Sequence, residues 1–323
     1  MDVRALRRRL ATVLPEARQV RAGESMLERS ALASDAPRLV GATLVEGEDM
    51  RAYRLPAGAE AAFRGFLDGT QRSEVVAHIG AAAIIVGHVG AVVRERRRQR
   101  MQTWRAPLRE ARLYAPRVLL GDAAWDALNS LDTLSGGLVV DTSPDVTASG
   151  AHPYALRDAA IHLVQAHRES LEQRLAEAWC ASEGDPLYVD GGISGSDAVA
   201  VSAHTVGVIK SHRTLYAEGP ALDVVLGLSH RQRSSVFRVT SRRRTAVASW
   251  YLRLRDNADH DPMWGLVRVE VADTNAAPAL ESRADLVSRW ILAEASPLAL
   301  PDARWDTMVY GIRDCEEFLR AVT

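Results

Sequence analysis

Two acids and one lysine are the residues of this sequence that are best placed to do chemistry. The apolar residues 187–189 predict a short buried strand that ends at Asp190, and the two glycines that follow let the backbone turn. Residues 206–209 form a second apolar, mostly β-branched run, which ends at Lys210. An acid and an ammonium group at the ends of neighbouring strands suit chemistry on a phosphate held by a metal ion.

Lys210 is the only lysine among the 40 Lys and Arg residues of the chain. A sequence that otherwise uses arginine for every cation suggests that Lys210 has a role that a planar guanidinium group fills badly. The alternative is the chance survival of one surface lysine.

A similar motif occurs earlier in the chain, around Asp68. Residues 62–70 form a short apolar run that ends in Asp68 and is followed by Gly69. Residues 73–93 are rich in Val, Ile, Ala and Gly, and they predict two further strands joined by a tight turn. An Asp-Gly pair is also a common hairpin signal. Mixed α/β order with acids at strand ends is nevertheless typical of a metal-dependent phosphoryl-transfer site.

Residues 156–179 give the clearest helical pattern, because their apolar positions follow the 3.6-residue period. Glu169, Glu172 and Glu177 lie on this helix. Glu172 shares a face with Arg168 near the edge of the apolar stripe, so it could point at the ends of the sheet. Each glutamate also suits an ordinary solvated helix position.

The other segments complete an α/β domain. Residues 1–35 predict a helix, 39–55 a strand pair or loop, 246–254 and 266–271 two strands, and 286–292 and 304–322 two helices. We divide the chain into an N-terminal arm with leading strands (1–60) and a main domain (61–323). Residues 94–155 are expected to be a helical, arginine-rich insertion.

Composition narrows the class of protein. With 323 residues, 47% of them hydrophobic and 25% charged, the chain fits a soluble globular protein. The apolar residues 79–93 are too few for a spanning helix, and the N-terminus lacks the apolar core of a signal peptide. Two distant cysteines, Cys180 and Cys315, fit a reducing compartment, so we expect a cytoplasmic protein without a membrane partner.

Nucleic-acid contacts must come from local patches, since the formal net charge is only −1. Residues 94–117 carry arginines together with Trp104 and Tyr114, a mixture that can bind single strands. A second basic cluster would contact the DNA backbone through Arg231, Arg233, Arg242 and Arg243. Solvated surface positions explain both groups of arginines equally well.

Together these segments resemble the NurA family of nucleases. The motifs that carry the resemblance are Leu-Asp-Gly-Thr at 67–70, Val-Asp-Gly at 189–191, Val-Gly-Val-Ile-Lys-Ser at 206–211 and Gly-Leu-Val-Arg-Val-Glu at 265–270. The resemblance covers about 63–93 and 156 to the C-terminus. It implies a ribonuclease-H-like mixed sheet flanked by helices, a homodimer that cuts DNA with Mn²⁺ or Mg²⁺, and a HerA-type hexameric ATPase as partner.

The resemblance also implies roles for individual residues. Asp68 matches the first metal-binding acid, Asp190 the acid of the second motif, and Lys210 the strand-end lysine. Glu172 matches the helix glutamate, with Glu169 as the alternative. Carboxylate oxygens suit Mg²⁺ and Mn²⁺, and Lys210 would neutralise charge that builds up on the scissile phosphate.

The C-terminal motif departs from the family pattern. Ser296 stands where the family has tyrosine, and Arg304 where it has histidine, with Asp302 and Asp306 as possible substitutes. The expected function is a metal-dependent DNA nuclease for DNA end processing, in repair or in defence. The alternative is a catalytically weakened nuclease-like subunit that binds DNA and docks on the ATPase. An enzyme acting on RNA is a third interpretation.

Overall fold

The computed structural model describes residues 3–19, 37–56, 58, 60–98, 100–131, 139–143, 152–241, 244–257, 260–274, 276–295 and 307–322. The helices in these ranges are α1 (Val3–Val13), α2 (Arg117–Asn129), α3 (Pro153–Ser182), α4 (Asp197–Ala200), α5 (Pro220–Leu226), α6 (Ala277–Ala295) and α7 (Tyr310–Val322). The strands are β1 (Arg18–Gln19), β2 (Arg38–Leu39), β3 (Thr43–Leu44), β4 (Ala52–Arg54), β5 (Gly65–Ile79), β6 (Ala82–Arg97), β7 (Arg100–Ala115), β8 (Val139–Asp141), β9 (Leu187–Asp190), β10 (Thr205–Ile209), β11 (Thr214–Leu215), β12 (Gln232–Ser234), β13 (Phe237–Ser241), β14 (Arg244–Arg253) and β15 (Leu266–Ala272).

A large mixed sheet organises the molecule, and its main path runs β3-β13-β14-β15-β10-β9-β5-β6-β7-β8. Strands β5, β6 and β7 form an antiparallel meander. The chain then passes through α3 and returns as β9, which pairs parallel with β5, and β10 pairs parallel with β9. Crossover connections of this kind place helices on the faces of a sheet. The expected α/β class, a mixed sheet flanked by helices, is confirmed.

The two faces of the sheet pack against different helices. On one face, Leu67 and Val93 belong to a buried cluster with Leu171 and Trp179 of α3. We call this side the α3 face. Because side chains alternate along a strand, the neighbouring residues point the other way.

On the opposite side, Phe66 and Val92 pack with Ile291 of α6 and Ile312 of α7. We call this side the α6–α7 face. A third cluster lies at the far end of β5 and β6, where Leu6 and the rest of the apolar face of α1 meet α2. The first two clusters pack the central strands between helices on both faces of the sheet.

The strands around Asp68 are longer than the sequence predicts. The two strands expected within 73–93 are present and turn at Gly80, whose φ of 56° suits glycine. The turn expected after Asp68 is absent, because β5 continues through Asp68 and Gly69, which pair with Val92 and Ala91 of β6. The paired backbone of β6 extends along this whole segment and keeps the chain straight.

The expected helical insertion at 94–155 is only partly helical. Residues 94–97 complete β6, and the arginine-rich residues 100–115 form β7, hydrogen-bonded to β6 within the main sheet. Trp104 is buried on β7, with its ring centroid 5.0 Å from that of Trp179 on α3. The helix begins only at Arg117. Pairing with β6 and the burial of Trp104 therefore make this segment a strand, although its arginines suit a solvated helix.

The N-terminal helix is shorter than expected. It ends at Val13, and Arg18–Gln19 pairs with β5, while residues 20–36 lie outside the described residues. The helices and strands expected within 156–179, 246–254, 266–271 and 286–292 are present in α3, β14, β15 and α6. Within the parts of the chain that the structure describes, no helix has the length and apolar character needed to cross a membrane.

Candidate active site at the ends of β9 and β10

Asp68 and Asp190 occupy equivalent places on neighbouring parallel strands. The parallel ladder between β5 and β9 ends at Leu67 and Val189, so the two aspartates are the next residues on each strand. Asp68 pairs with Val92, and Asp190 with Val208, and both valines belong to the cluster on the α6–α7 face. The two carboxyl groups therefore stand on the same side of the sheet, where the hydrogen-bonded ladder stops.

Lys210 follows β10 directly and contacts Asp190. Its Nζ donates to Oδ2 of Asp190 over 2.8 Å, and the two side chains are 20% and 19% exposed. The contact is made because β9 and β10 are parallel and end together. The chain can turn away after Asp190 because Gly191 adopts a φ of 141°. The sequence predicted both the strand end at Asp190 and the delivery of Lys210 by the next strand, and both are confirmed.

Glu172 reaches the same region from α3. Its carboxylate lies directly over Gly69, so close that a Cβ at this position would overlap it. Since Gly69 faces α3 and Asp68 faces away from it, Glu172 approaches β5 from the side opposite to Asp68. Arg168, one turn earlier on α3, forms an ion pair with Glu172. Gly69 is thus required for close approach and not for a turn.

Glu169, the alternative to Glu172, lies farther from the sheet. Its side chain is 52% exposed, and it accepts a hydrogen bond from Gln165 at 2.9 Å. Glu172 is only 14% exposed. Of the two glutamates, Glu172 is the one that the helix brings to Gly69 and to the electrostatic field of the aspartates.

Negative charge accumulates at Asp68. Burial, followed by the charge of Asp190, raises the pKa of Asp68 from 3.8 to about 8, although Lys210 acts in the opposite direction. The backbone N–H of Gly69 donates to Oδ1 of Asp68 over 2.8 Å. Asp68 is only 8% exposed, so water can stabilise its ionised form poorly. At neutral pH the carboxyl group therefore holds a proton, or a cation in its place.

The pKa of Glu172 is also raised. Burial is the largest cause and brings it from 4.5 to about 7, against the lowering effect of Arg168. The charge of Asp190 contributes in the same direction as burial. The charge of Glu172 in turn raises the pKa of Asp68. The carboxyl groups of Asp68, Glu172 and Asp190 therefore form one electrostatic cluster.

The donor set has the chemistry of a site for a hard divalent cation. Asp68 and Asp190 offer carboxylate oxygens, which Mg²⁺ and Mn²⁺ prefer. Burial and the charge of Asp190 raise the pKa of Asp68, and a bound divalent ion would stabilise its ionised form. Among the described residues, however, no group of three or more His, Cys, Asp or Glu side chains is arranged to hold a metal ion. Two ligands stand side by side, and Glu172 approaches from the other face.

The loop after Asp190 is held by an acid to which the sequence assigned no role. Glu270 on β15 is buried, and its Oε2 accepts the backbone N–H of Ile193 at 2.9 Å. Its Oε1 accepts from Arg268 at 2.7 Å. The close fit of Gly192 against Glu270 adds to this anchor. Glu270 lies in one of the motifs that carry the resemblance, but spacing alone did not indicate that it holds this loop.

The arginines expected at a DNA interface separate into different environments. Arg233 is only 2% exposed, and its guanidinium group donates to Glu46 at 2.6 and 3.0 Å and to Asp285 at 2.6 Å. This interior position corrects the expectation of a surface contact for Arg233. Arg231 is half-buried and donates to the carbonyl of Pro56 at 2.6 Å. Arg242 and Arg243 lie outside the described residues.

The divergent C-terminal motif also lies outside the described residues. Ser296, Asp302, Arg304 and Asp306 fall between Ala295, where α6 ends, and Thr307.

In comparisons with known proteins, no family model matches the chain, and no curated protein shows significant similarity to it.

Proposed function

We propose that this chain is a Mn²⁺- or Mg²⁺-dependent DNA nuclease of the NurA type with a ribonuclease-H-like fold. The observation that carries the proposal is that Asp68 and Asp190 directly follow the last residue pair of the parallel ladder between β5 and β9, with Lys210 against Asp190. The strand order β7-β6-β5-β9-β10 supports the fold assignment, since an antiparallel meander is continued by two parallel strands beyond a helix.

Each of these residues has a distinct task in the proposed reaction. Asp68 and Asp190 would hold the ion, with Glu172 as the third carboxylate. The bound ion would supply an activated water and stabilise the leaving oxygen of the phosphodiester. Lys210 would stabilise the negative charge that develops on the phosphate, and Asp190 keeps its ammonium group at the site. Glu270 would hold the loop that follows Asp190 in place.

The biological setting follows from the resemblance alone. We propose a homodimer that processes DNA ends together with a HerA-type hexameric ATPase, in the cytoplasm. Two free cysteines, Cys180 and Cys315, support a reducing compartment.

A second candidate function is a catalytically weakened subunit that binds DNA and docks on the ATPase. It is favoured by the ion pairs that already occupy Asp190 and Glu172. Lys210 and Arg168 neutralise these carboxylates and so compete with a metal ion for them.

A cleavage assay on labelled DNA distinguishes the two functions. The wild type, Asp190→Ala and the control Asp126→Ala, which changes an exposed acid on α2, are each incubated with Mn²⁺ or with EDTA. Cutting by the wild type and the control, but not by Asp190→Ala or in EDTA, supports the nuclease. DNA binding without cutting by any variant supports the second function. Cutting that survives Asp190→Ala would refute the proposed site, and a labelled RNA in parallel identifies an RNA-cleaving enzyme.

A further inference from the structure

A cleft of about 430 Å³ lies on the α3 face of the sheet, between the segments that follow β9 and β10 and the start of β14. Two of its lining residues adjoin the proposed site in the chain. Ser194 belongs to the loop that follows Asp190, and Ser211 comes directly after Lys210. The cleft therefore borders the chain segments that follow Asp190 and Lys210.

The cleft has a strong excess of positive charge. Four arginines line it: Arg38, Arg213, Arg244 and Arg268. Glu270 is the one acid among the described residues of the lining, and its carboxylate is already engaged by Arg268 and by the backbone N–H of Ile193. The other arginines of the lining, Arg38, Arg213 and Arg244, add further positive charge. A site with this balance selects an anion.

Several of these groups are held in place before any ligand binds. Nε of Arg38 donates to Oγ1 of Thr214 over 3.0 Å, at the point where β2 and β11 pair. The guanidinium group of Arg268 lies 5.1 Å from the centroid of the Tyr216 ring. Positioning of this kind reduces the ordering that binding requires.

We propose that this cleft binds backbone phosphates of a single nucleic-acid strand that leads into the Asp190–Lys210 site. The identity of this strand as a substrate rests on the proposed nuclease function. Guanidinium groups match phosphate oxygens in a two-pronged geometry. The arginines come from four separate segments of the chain, β2, β14, β15 and the stretch after β10, and line one cleft together. Several phosphates of a strand can engage such a set at once.

The test measures binding and needs no catalysis. A fluorescent single-stranded oligonucleotide is titrated with protein in EDTA at several salt concentrations, and anisotropy gives the affinity. The variant replaces Arg38, Arg213 and Arg244 by glutamine, since all three are exposed. Each phosphate contact on a single strand contributes roughly 0.7 to the slope of log affinity against log salt, so the slope should fall by about 2.

The control carries the same change of charge elsewhere. It replaces Arg8, Arg9 and Arg54 by glutamine, which are exposed on α1 and β4. We expect its affinity and salt slope to match those of the wild type. Thermal unfolding of both triple variants verifies that they are folded, and if the cleft variant is unfolded, Arg213→Gln and Arg244→Gln are measured singly for a slope loss of about 0.7 each.

The outcomes separate this proposal from the nuclease function. An unchanged salt slope in the cleft variant, or an equal loss in the control, overturns the proposal. So does displacement of the strand by low concentrations of inorganic phosphate, which would identify a small-anion site. Loss of strand binding in the cleft variant supports the proposal even if the wild type cuts no DNA. If the wild type cuts DNA in a metal-dependent way and the cleft variant binds the strand as the wild type does, the proposed nuclease function stands and the proposed strand-binding cleft is rejected.

Discussion

Replacing Asp68 by asparagine tests whether this carboxyl group is protonated in the metal-free protein. Burial, followed by the charge of Asp190, raises the pKa of Asp68 from 3.8 to about 8 in the folded state. The folded protein therefore retains a proton that the unfolded chain releases. The stabilising contribution of that proton is fully present below about pH 4, and it is lost as the pH rises through about 8.

The size of the effect follows from the pKa of Asp68. Between the unfolded and folded pKa values, each extra bound proton lowers the free energy of unfolding by about 1.4 kcal/mol per pH unit. Over the whole window this gives a loss on the order of 5 kcal/mol. Solvent screening reduces it little, since Asp68 is only 8% exposed. Asparagine is neutral at every pH, so Asp68→Asn should match the wild type near pH 4 and exceed its stability by several kcal/mol at pH 8.

Urea unfolding followed by circular dichroism, in EDTA and at pH values from 4 to 8, measures this difference. Both proteins should still lose stability up to about pH 7, because Glu172 has a pKa raised to about 7 in each. Asp126→Asn on the exposed side of α2 is the matched control and should follow the wild type. Parallel curves for the wild type and Asp68→Asn would show that Asp68 binds no extra proton, and the electrostatic argument for a cation there would fail.

Three further experiments test contacts at the site and at Arg233. Gly69→Ala should lower the free energy of unfolding by about 1–3 kcal/mol, because the added methyl group overlaps Glu172. Glu172→Ala should relieve that loss when a double-mutant cycle is measured by urea unfolding. Additive effects of the two substitutions would contradict the contact. Arg233→Ala should cost about 3–5 kcal/mol in the same assay, because it removes the guanidinium partner of the buried Glu46, and a loss below about 1 kcal/mol contradicts this structural role. Lys210→Arg should reduce the rate of DNA cleavage at least about tenfold, because a guanidinium group would engage both carboxylate oxygens of Asp190 in place of the single contact from Lys210; wild-type rates would show that any cation suffices.

The sequence predicted the part of the site around Asp190 and Lys210 better than the part around Asp68. Around Asp190, the apolar strand, the glycine with φ of 141° and the apolar run before Lys210 all act locally, so their pattern can be read along the chain. Around Asp68, the same Asp-Gly pattern has another cause. Gly69 lies within a continuous strand, and glycine is required there because Glu172 approaches from a helix about 100 residues later in the chain. No local pattern distinguishes these two uses of glycine.

The arginine-rich segments were harder to predict because arginine has both a charge and a long apolar stem. In residues 100–115, hydrogen bonding to β6 and the burial of Trp104 make a strand of a segment whose composition suggested a solvated helix. Arg233 was expected at the surface, and its partners, Glu46 and Asp285, lie 187 and 52 residues away in the chain. Whether an arginine faces solvent or the core depends on such distant partners.

The choice between Glu172 and Glu169 illustrates how tertiary contacts complete what periodicity begins. The helical period places Glu172 beside the apolar stripe of α3, next to Leu171, and leaves Glu169 solvated. Periodicity alone would still allow Glu172 to turn towards water with Arg168. Because Gly69 has no Cβ, the carboxylate of Glu172 can lie directly over β5. The result is a buried carboxyl group whose pKa is raised by burial and, further, by the charge of Asp190 across the strand ends.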